Sequence, residues 1–556
     1  MALSEVLRKK KTDVRLVDLP TGDGINGPDD FLAVRGDEAL RDLLDGPVIT
    51  VESSVRNEIR SIVLFPSRGD DAVPDFDKKR LITAALQREL AQLGEFLRTV
   101  DRRGFYFLRD ERRVLDLEQT PFQHTLTQIS GLSATENYFK FARDMLQATT
   151  AKTAPLVEIR TFAHFDFNEQ RLVVSDGAGG VWARERGSTW REGANGQNGI
   201  FFLTDPEAEP FQPEFVDDDS YAWYWRQFLF SDQDLPAPAA RLLLEVFLLQ
   251  QFFPPLRQTR ITPAVLGPQG SGKTTGVRFF GRLLLGRRFE VSGIQRDRED
   301  DFRAAITNRV VLGCDNADSR ISWLPDALAL YATGMVFRLR KLYVTNEEVS
   351  FPARAILLLS SRDPHFKRPD VAERLLPLYF ERPKAYLPEH VLFDELAARR
   401  NRIIGAILRR VAAIADSLDL NKKAKLVRFR MADYATFGLR VVGTDRQQSW
   451  LSLLNRVEKL QAEFTTEDDG TVIALGILLK RDGEIAEMTT GELFKKLKVI
   501  AERSNLPFAR TAPGFGKHLT AMKRAAEIAL GATIRFGSPG GRVKTVNIKP
   551  SRNCSA

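Results

Sequence analysis

The apolar positions change period several times along the chain, and each change marks an element. Leu81–Val100 (LITAALQRELAQLGEFLRTV) repeats apolar side chains every three and four residues, which predicts a helix. GFYFLRDERRVLDL at 104–117 alternates instead and predicts a hairpin with Asp110-Glu111 at the turn. Further alternating runs follow: LVEIRTFAHFDF, QRLVVSD, GGVWARE, STWREG and GIFFLTD, with Gly177, Gly179, Gly180, Gly187 and Gly193 in the turns. They predict a small β-rich part with helices before it. Trp182 and Trp190 fit its core or sheet face, and no catalytic constellation stands out there. The apolar stretch Leu242–Phe253, broken by Glu245 and two glutamines, predicts a buried helix. Residues 216–380 alternate helix and strand patterns, which implies a mostly parallel sheet. Residues 384–445 read as mainly helical. Residues 446–556 read as several helices and a terminal hairpin, TIRFGSPGGRVKTVNI, with Ser538-Pro539-Gly540-Gly541 at its tip. Near the start, VRLVDLP reads as a strand, TGDGINGPDD as a loop and DDFLAVRGDEALRDLLDG as an amphipathic helix ending at Gly46, a unit too short to bury a core alone.

Composition sets the scale. The 556 residues suit three or four domains at about 100–200 residues each. A hydrophobic share of 43% supplies several cores and rules out disorder over most of the length. No apolar run is long enough for a membrane span, and MALSEVLRKKKTDVRL has no apolar stretch of the signal-peptide kind. Cys314 and Cys554 cannot make a disulfide framework, and no Cys/His cluster has zinc spacing. A cytoplasmic protein is expected. The net charge of +8 is concentrated: from Ala501 onward ten Lys/Arg face only Glu502 and Glu527. So basic a terminal module suggests a polyanionic partner.

The chemistry centres on GPQGSGKTT, Gly267, Pro268, Gln269, Gly270, Ser271, Gly272, Lys273, Thr274 and Thr275, a full G-x-x-x-x-G-K-[ST] run. It stands between a strand-like ITPAVL and a helix-like TTGVRFFGRLLLG, the context a phosphate-binding loop needs. Glycines let backbone N–H groups curl inward, and the helix N-terminus adds positive potential. Lys273 is expected on the β- and γ-phosphates of ATP, and the Thr274 hydroxyl on Mg²⁺. NRVVLGCDNAD at 308–318 supplies the buried strand ending in an acid, Asp315, expected to hold the Mg²⁺ shell. Asn316 follows where many ATPases of this kind carry a glutamate as the water-activating base. An amide orients water but cannot take its proton, so the base stays open, with Asp318 two residues on.

RAILLLSSRD at 354–363 ends in Ser360, Ser361 and Arg362, where a polar contact to the γ-phosphate is expected from Ser361; Arg362 suits that role or a surface ion pair. Arg374, in RPDVAERLLPLYF, either projects into a neighbour's site, worth about 10³–10⁵ in rate, or pairs along its turn with Asp370 or Glu373. MVFRLRKLYVTNEEVSF at 335–351 alternates like a hairpin. One face carries Arg338, Arg340 and Lys341, which suits a polynucleotide backbone or a charge-protected sheet edge. GELFKKLKVIAERS, FGKHLTAMKRAAEIAL and the terminal hairpin read as helix–turn–helix with a wing. The second helix would present Lys517, His518, Lys523 and Arg524, and the wing Arg535, Arg542 and Lys544, to duplex DNA or, as a docking module, to protein.

Taken in order, GPQGSGKTT, VLGCDNADSRISWLPDALALYATG, LRKLYVTNEEVSF, KRPDVAERLLPLYFE and FRMADYATFGL at 429–439 resemble the AAA+ ATPase core of ATP-binding proteins carried by phages and integrative elements. That family is similar in layout to superfamily III helicases and to primase-helicases. The resemblance, over 240–445, implies a ring oligomer, a hexamer, that hydrolyses ATP between subunits and moves along single-stranded DNA. It carries over Lys273, Thr274 and Asp315, Arg374 as arginine finger and Arg340–Lys341 as the DNA-contacting hairpin, and Asn316 matches an Asp-Asn form of the family. LPTGDGINGPDDFLAVRGDEALRDLL is similar to the C-terminal end of a TOPRIM primase domain, without its glycine motif and catalytic acids. A primase partner is thereby suggested, but no primase activity.

The expected fold is therefore α/β: a TOPRIM-like remnant (1–46), an α+β adaptor region (47–235), an AAA+ P-loop core (236–383), a helical lid (384–445) and a winged-helix-like basic domain (446–556). The expected function is an ATP-dependent DNA helicase or translocase in replication of a phage or mobile element, with no membrane partner. The alternative is a nucleotide-gated switch ATPase that binds DNA without unwinding it.

Overall fold

The structure is a computed structural model. It describes residues 32, 33, 36, 55–67, 72–317, 321–334, 336–340, 348–362, 366–418, 426–537 and 544–550, with 336–340 and 348–352 as backbone. The TOPRIM-like run therefore lies almost wholly outside the described residues. The chain divides into two compact units, Met1–Glu158 and Ile159–Ala556, a boundary that falls inside the expected 47–235 region.

The first unit contains α1 (Val55–Leu64), α2 (Asp75–Leu93), β1 (Gly94–Arg98), β2 (Gly104–Leu108), β3 (Arg113–Asp116), α3 (Thr120–Ser130) and α4 (Asn137–Thr153). The helix expected over Leu81–Val100 stops at Leu93. Gly94 is extended, and Gly94–Arg98 pairs antiparallel with β2. A Cβ at Gly94 would run into the Phe107 carbonyl, so glycine here ends the helix and admits the neighbouring strand. β2 and β3 form the expected hairpin, with Leu108 opposite Arg113. Leu86, Leu90, Tyr106, Phe122 and Phe139 make this unit's own core.

The second unit opens with the β-rich part: β4 (Ile159–Arg160), β5 (Ala163–Asp166), β6 (Arg171–Ser175), β7 (Gly180–Arg184), β8 (Arg191–Ala194) and β9 (Phe201–Phe202). β5 to β8 form an antiparallel meander, and β4 pairs with β9. The indoles of Trp182 and Trp190 donate to the carbonyls of Phe211 and Leu408, both at 3.3 Å, which makes them anchors of this layer. Helices α5 (Ser220–Arg226) and α6 (Ala237–Gln250) follow. Phe162, Phe165, Leu172 and Val174 share one core with Leu243 and Phe247 of α6, so the β-rich part is built onto what comes next.

There the chain runs through β10 (Thr262–Leu266), α7 (Lys273–Leu285), β11 (Ser292–Gly293), α8 (Glu299–Asn308), β12 (Val311–Asp315), α9 (Leu324–Ala332), β13 (Val336–Arg340), β14 (Glu348–Pro352), β15 (Ile356–Ser361), α10 (Pro369–Ala372) and β16 (Leu375–Tyr379). Five strands make a parallel sheet in the order β11-β12-β15-β10-β16. Its strands read as continuous apolar runs because both faces are covered. Ile356 and Leu358 of β15 enter one core and Leu357 and Leu359 the other, the alternation a strand imposes. β13 and β14 pair antiparallel, with Arg338 opposite Ser350. Lys341 and the turn of that hairpin lie outside the described residues.

Three helices come next: α11 (Glu389–Ser417), α12 (Ala432–Val441) and α13 (Gln447–Thr466). The last part contains α14 (Gly470–Asp482), β17 (Ile485–Thr489), α15 (Thr490–Arg503), α16 (Ala512–Leu530), β18 (Ala532–Gly537) and β19 (Thr545–Pro550). Its sheet is antiparallel in the order β17-β19-β18. Thr489 and Glu492 form a reciprocal capping box at the start of α15. Leu493, Leu497, Phe515, Leu519, Ile534 and Val546 form a separate core. The hairpin tip Ser538–Gly541 and Arg542 lie outside the described residues. No described helix is long and apolar enough to cross a membrane.

Candidate nucleotide site

The glycine loop joins the end of β10 to the start of α7, at the carboxyl edge of the parallel sheet, where such sheets bind ligands. Gly267 has φ +144°, and a Cβ there would run into the Phe380 carbonyl, so the turn out of β10 requires glycine. Gly272 caps α7 in the left-handed region, which leaves the first helical N–H groups directed at the loop. Lys273 is the first residue of α7, and its Nζ donates to the carbonyls of Gly267 and Pro268, both at 2.8 Å. The Ser271 hydroxyl is buried inside the loop with no hydrogen-bond partner among the described residues. A buried hydroxyl, helix N–H groups and an ammonium make a cradle for anionic oxygens.

Asp315 ends β12 and faces this cradle. Thr274 Oγ1 donates to Asp315 Oδ2 at 2.9 Å, while Ser360 Oγ and the Asn316 N–H (2.9 Å) both donate to Oδ1. The strand order explains the meeting. β15 lies between β10 and β12, so its end is pinched between loop and acid. Ser361, in register with Leu266, is buried beside the first loop residue. One hydroxyl and one carboxylate are hard oxygen donors suited to Mg²⁺ that keeps water and phosphate in its shell. Asn316 has φ +56°, a conformation asparagine tolerates and glutamate does not favour. The residue after Asp315 is therefore tied to local geometry as well as to chemistry. Burial, together with neighbouring Asp315, pushes the Cys314 thiol up to about 12, so it is not a nucleophile.

The structure also adds residues that the sequence pattern did not single out. β16 lies parallel beside β10, so the chain leaving it emerges next to the loop. Arg382 Nε donates to Gln269 O at 2.6 Å and Tyr386 Oη to Gly270 O at 3.1 Å. Glu389, at the start of α11, accepts from Thr275 Oγ1 (2.6 Å) and Arg278 Nη1 (3.0 Å). The signal was a cation, an aromatic and an acid in ERPKAYLPEH, but it has meaning only once β16 is known to flank β10.

Arg374 precedes β16, at the opposite edge of the sheet from the loop; its carbonyl accepts from Thr262 N at 3.0 Å. Five strand residues separate the two edges, roughly 16 Å. Its guanidinium donates to Ala329 O at 3.3 Å, while Asp370 pairs with Arg368 and Glu373 with Arg430. Arg362 is exposed, and Asp318 lies outside the described residues. In the last part, Lys517, Arg535 and Lys544 are exposed. His518 Nε2 meets Asp469 Oδ2 at 2.7 Å, Lys523 lies 3.9 Å from Glu527, and Arg524 pairs with Glu458 at 2.7 Å.

Residues 252–452 match the family model described as the actinomycete integrative conjugative element replication protein. That stretch holds the loop, Asp315, Arg374 and the β13–β14 hairpin. Among solved structures, the chain is similar to the NrS-1 C-terminal region, at 9% identity and a TM-score of 0.38 over 83% of this chain and 98% of that one. It is also similar to the Aeropyrum pernix ORC1 protein in complex with DNA (17% identity, TM-score 0.18, 55% and 88% covered). The JCV helicase aligns at 14% identity and a TM-score of 0.20, over 44% of this chain and 64% of that one. No curated protein matches the chain.

Proposed function

We propose that the chain is an ATP-dependent DNA helicase or translocase that works as a ring oligomer, a hexamer, in replication of a mobile element. On this reading the parallel sheet is an AAA+ core, α11 and α12 form its lid, and the three-helix, three-strand part at the end is a winged-helix DNA-binding domain. The observation that carries the reading is the hydrogen bond between Thr274 and Asp315 at the mouth of the glycine loop. A threonine beside the loop lysine and an acid two strands away meet for a purpose that packing does not supply. Mg²⁺ held by Thr274 and Asp315 would neutralise phosphate charge. Lys273 binds the β- and γ-phosphates, Ser361 borders the γ-phosphate, and Asn316 orients the attacking water. Arg374 is too far from its own loop to act there, which suits action on a neighbour's nucleotide. The hairpin with Arg338, Arg340 and Lys341 takes the single strand, and Lys517, Lys523, Arg535, Arg542 and Lys544 take duplex.

The test is ATP hydrolysis by the full chain with and without single-stranded DNA, beside Lys273→Ala, Arg374→Ala and an equal mixture of the two variants. DNA should raise turnover, each variant alone should abolish it, and the mixture should regain part of it. A mixture as inactive as its components would remove the shared-site reading. A second reading, a slow nucleotide-gated switch, is favoured by Asn316 in the base position. Turnover that ignores DNA while ATP alters assembly would select it.

A further inference from the structure

Among the described residues of the basic domain, Arg524 is the most heavily tied cation, and its ties lead back to the ATPase core. Arg524 Nη2 donates to Glu458 Oε1 of α13 at 2.7 Å and to Arg428 O at 3.2 Å, and its Nε lies 3.8 Å from Glu373 Oε1. Glu373 is the residue directly before Arg374. Its other oxygen accepts from Arg430 Nη1 at 2.7 Å. From α13, Gln461 Nε2 donates to Leu375 O, the residue directly after Arg374, at 2.6 Å. Both acids are mostly buried, at 17% exposure, whereas Arg524 is 46% exposed. Ala525 and Ile528 of α16 line the same crevice with Ala462 and Thr465 of α13 and Pro369 and Ala372 of α10. α13 itself enters three cores: Trp450, Leu454 and Val457 pack in the core on one face of the sheet, Phe464 in that on the other, and Ala462 in that of the terminal domain.

On α16, Lys517, Ala521, Arg524 and Ile528 follow one another at helical spacing and share a face. Its first half, Lys517, Thr520 and Ala521, is exposed. Its second half is seated on α13. A duplex lying along the whole face must take Arg524 from Glu458 and Glu373, because phosphate and carboxylate compete for one guanidinium.

We propose that Arg524 is a positioning residue for Arg374, and that duplex DNA on α16 withdraws it, so that the terminal domain reports DNA to the ATPase. This rests on the reading of Arg374 as a finger acting on a neighbouring subunit. Arg524 here does not read DNA in the resting arrangement; it holds the peptide that carries the finger.

The experiment uses the full chain and a short duplex, with kcat and KM for ATP measured alongside duplex affinity by fluorescence anisotropy. Adding duplex should lower the kcat of wild type about fivefold or more, whereas Arg524→Ala, already low without DNA, should change less than about twofold. KM should stay constant, duplex affinity should change little because the lost phosphate contact is offset by ion pairs that no longer have to break, and Arg524→Lys should restore part of the response. Glu458→Gln, of the same shape and charge-neutral, should repeat the effect and serves if Arg524→Ala folds poorly. Loss of duplex affinity in Arg524→Ala with the kcat response intact would overturn the inference and leave Arg524 a DNA contact with no part in the coupling. If Arg374→Ala itself leaves turnover unchanged, the finger reading fails instead. If Arg374→Ala abolishes turnover while both Arg524→Ala and Glu458→Gln respond as wild type, only this inference fails.

Discussion

At the scale of single residues, Asn316 separates geometry from chemistry. Its left-handed backbone puts its N–H on Asp315 and so helps hold the carboxylate that also receives Thr274. An ordinary side chain in that conformation costs about 1–2 kcal/mol, and asparagine less. Replacing it by the catalytic glutamate that many ATPases carry therefore adds a base and strain together. We expect Asn316→Glu to hydrolyse ATP no faster than wild type, and Asn316→Asp, which keeps the local geometry, to match or exceed it. Steady-state kcat for the two variants is the measurement, and a glutamate variant faster than wild type would show that the backbone is not limiting. Lys273, Thr274, Asp315 and Ser361 were legible beforehand because each sits at a fixed step from a glycine run or the end of an apolar strand. The backbone of Asn316 was not, since a positive φ at asparagine leaves no mark in hydrophobic spacing.

At the scale of elements, the strand order does what the motifs cannot. It brings Arg382 and Tyr386, more than a hundred residues away in sequence, onto the carbonyls of Gln269 and Gly270. Those bonds fix the outer arc of the glycine loop. Arg382→Ala should raise the KM for ATP about tenfold, the low end for an exposed charge-assisted bond, and Tyr386→Phe about threefold. Little change in kcat is expected for either, since neither reaches Asp315. Titration with a fluorescent ATP analogue checks the binding half of that statement, and unchanged affinity in both variants would reduce this strap, residues 382–386 across the loop, to packing. Most elements were legible: the 104–117 hairpin, the helix around Leu242–Phe253, and the strand–loop–helix of β10 and α7. The end of α2 was missed because apolar residues on both sides of Gly94 continue a helical count that a single close contact with Phe107 interrupts. The strap was missed because a one-dimensional pattern does not record that β16 lies beside β10.

At the scale of the whole molecule, the two compact units have separate cores, and the boundary at Glu158 makes a quantitative claim about cutting the chain. The order of the motifs places the start of the core near residue 236, because they all follow it and the β-rich runs before it carry none. The packing carries that core upstream of residue 236. Phe162, Phe165, Leu172, Val174, Trp223 and Tyr224 all lie in the core that covers one face of the parallel sheet. Tyr224 stacks on Phe279 of α7, the helix that begins with Lys273, at 5.1 Å and 14° between rings. Burying one large apolar side chain is worth about 1.5–3 kcal/mol, so removing these six uncovers a share comparable with the roughly 5–15 kcal/mol that holds a domain together. A fragment spanning Ile159–Ala556 should therefore stay folded and hydrolyse ATP, whereas a fragment beginning at residue 236 should aggregate or lose its cooperative melt. Circular dichroism melts and ATP turnover on both fragments decide it. If the shorter fragment melts cooperatively and turns over ATP, the β-rich layer and α5 are accessory to the nucleotide site, and the apolar contacts beneath α7 do not set the position of Lys273.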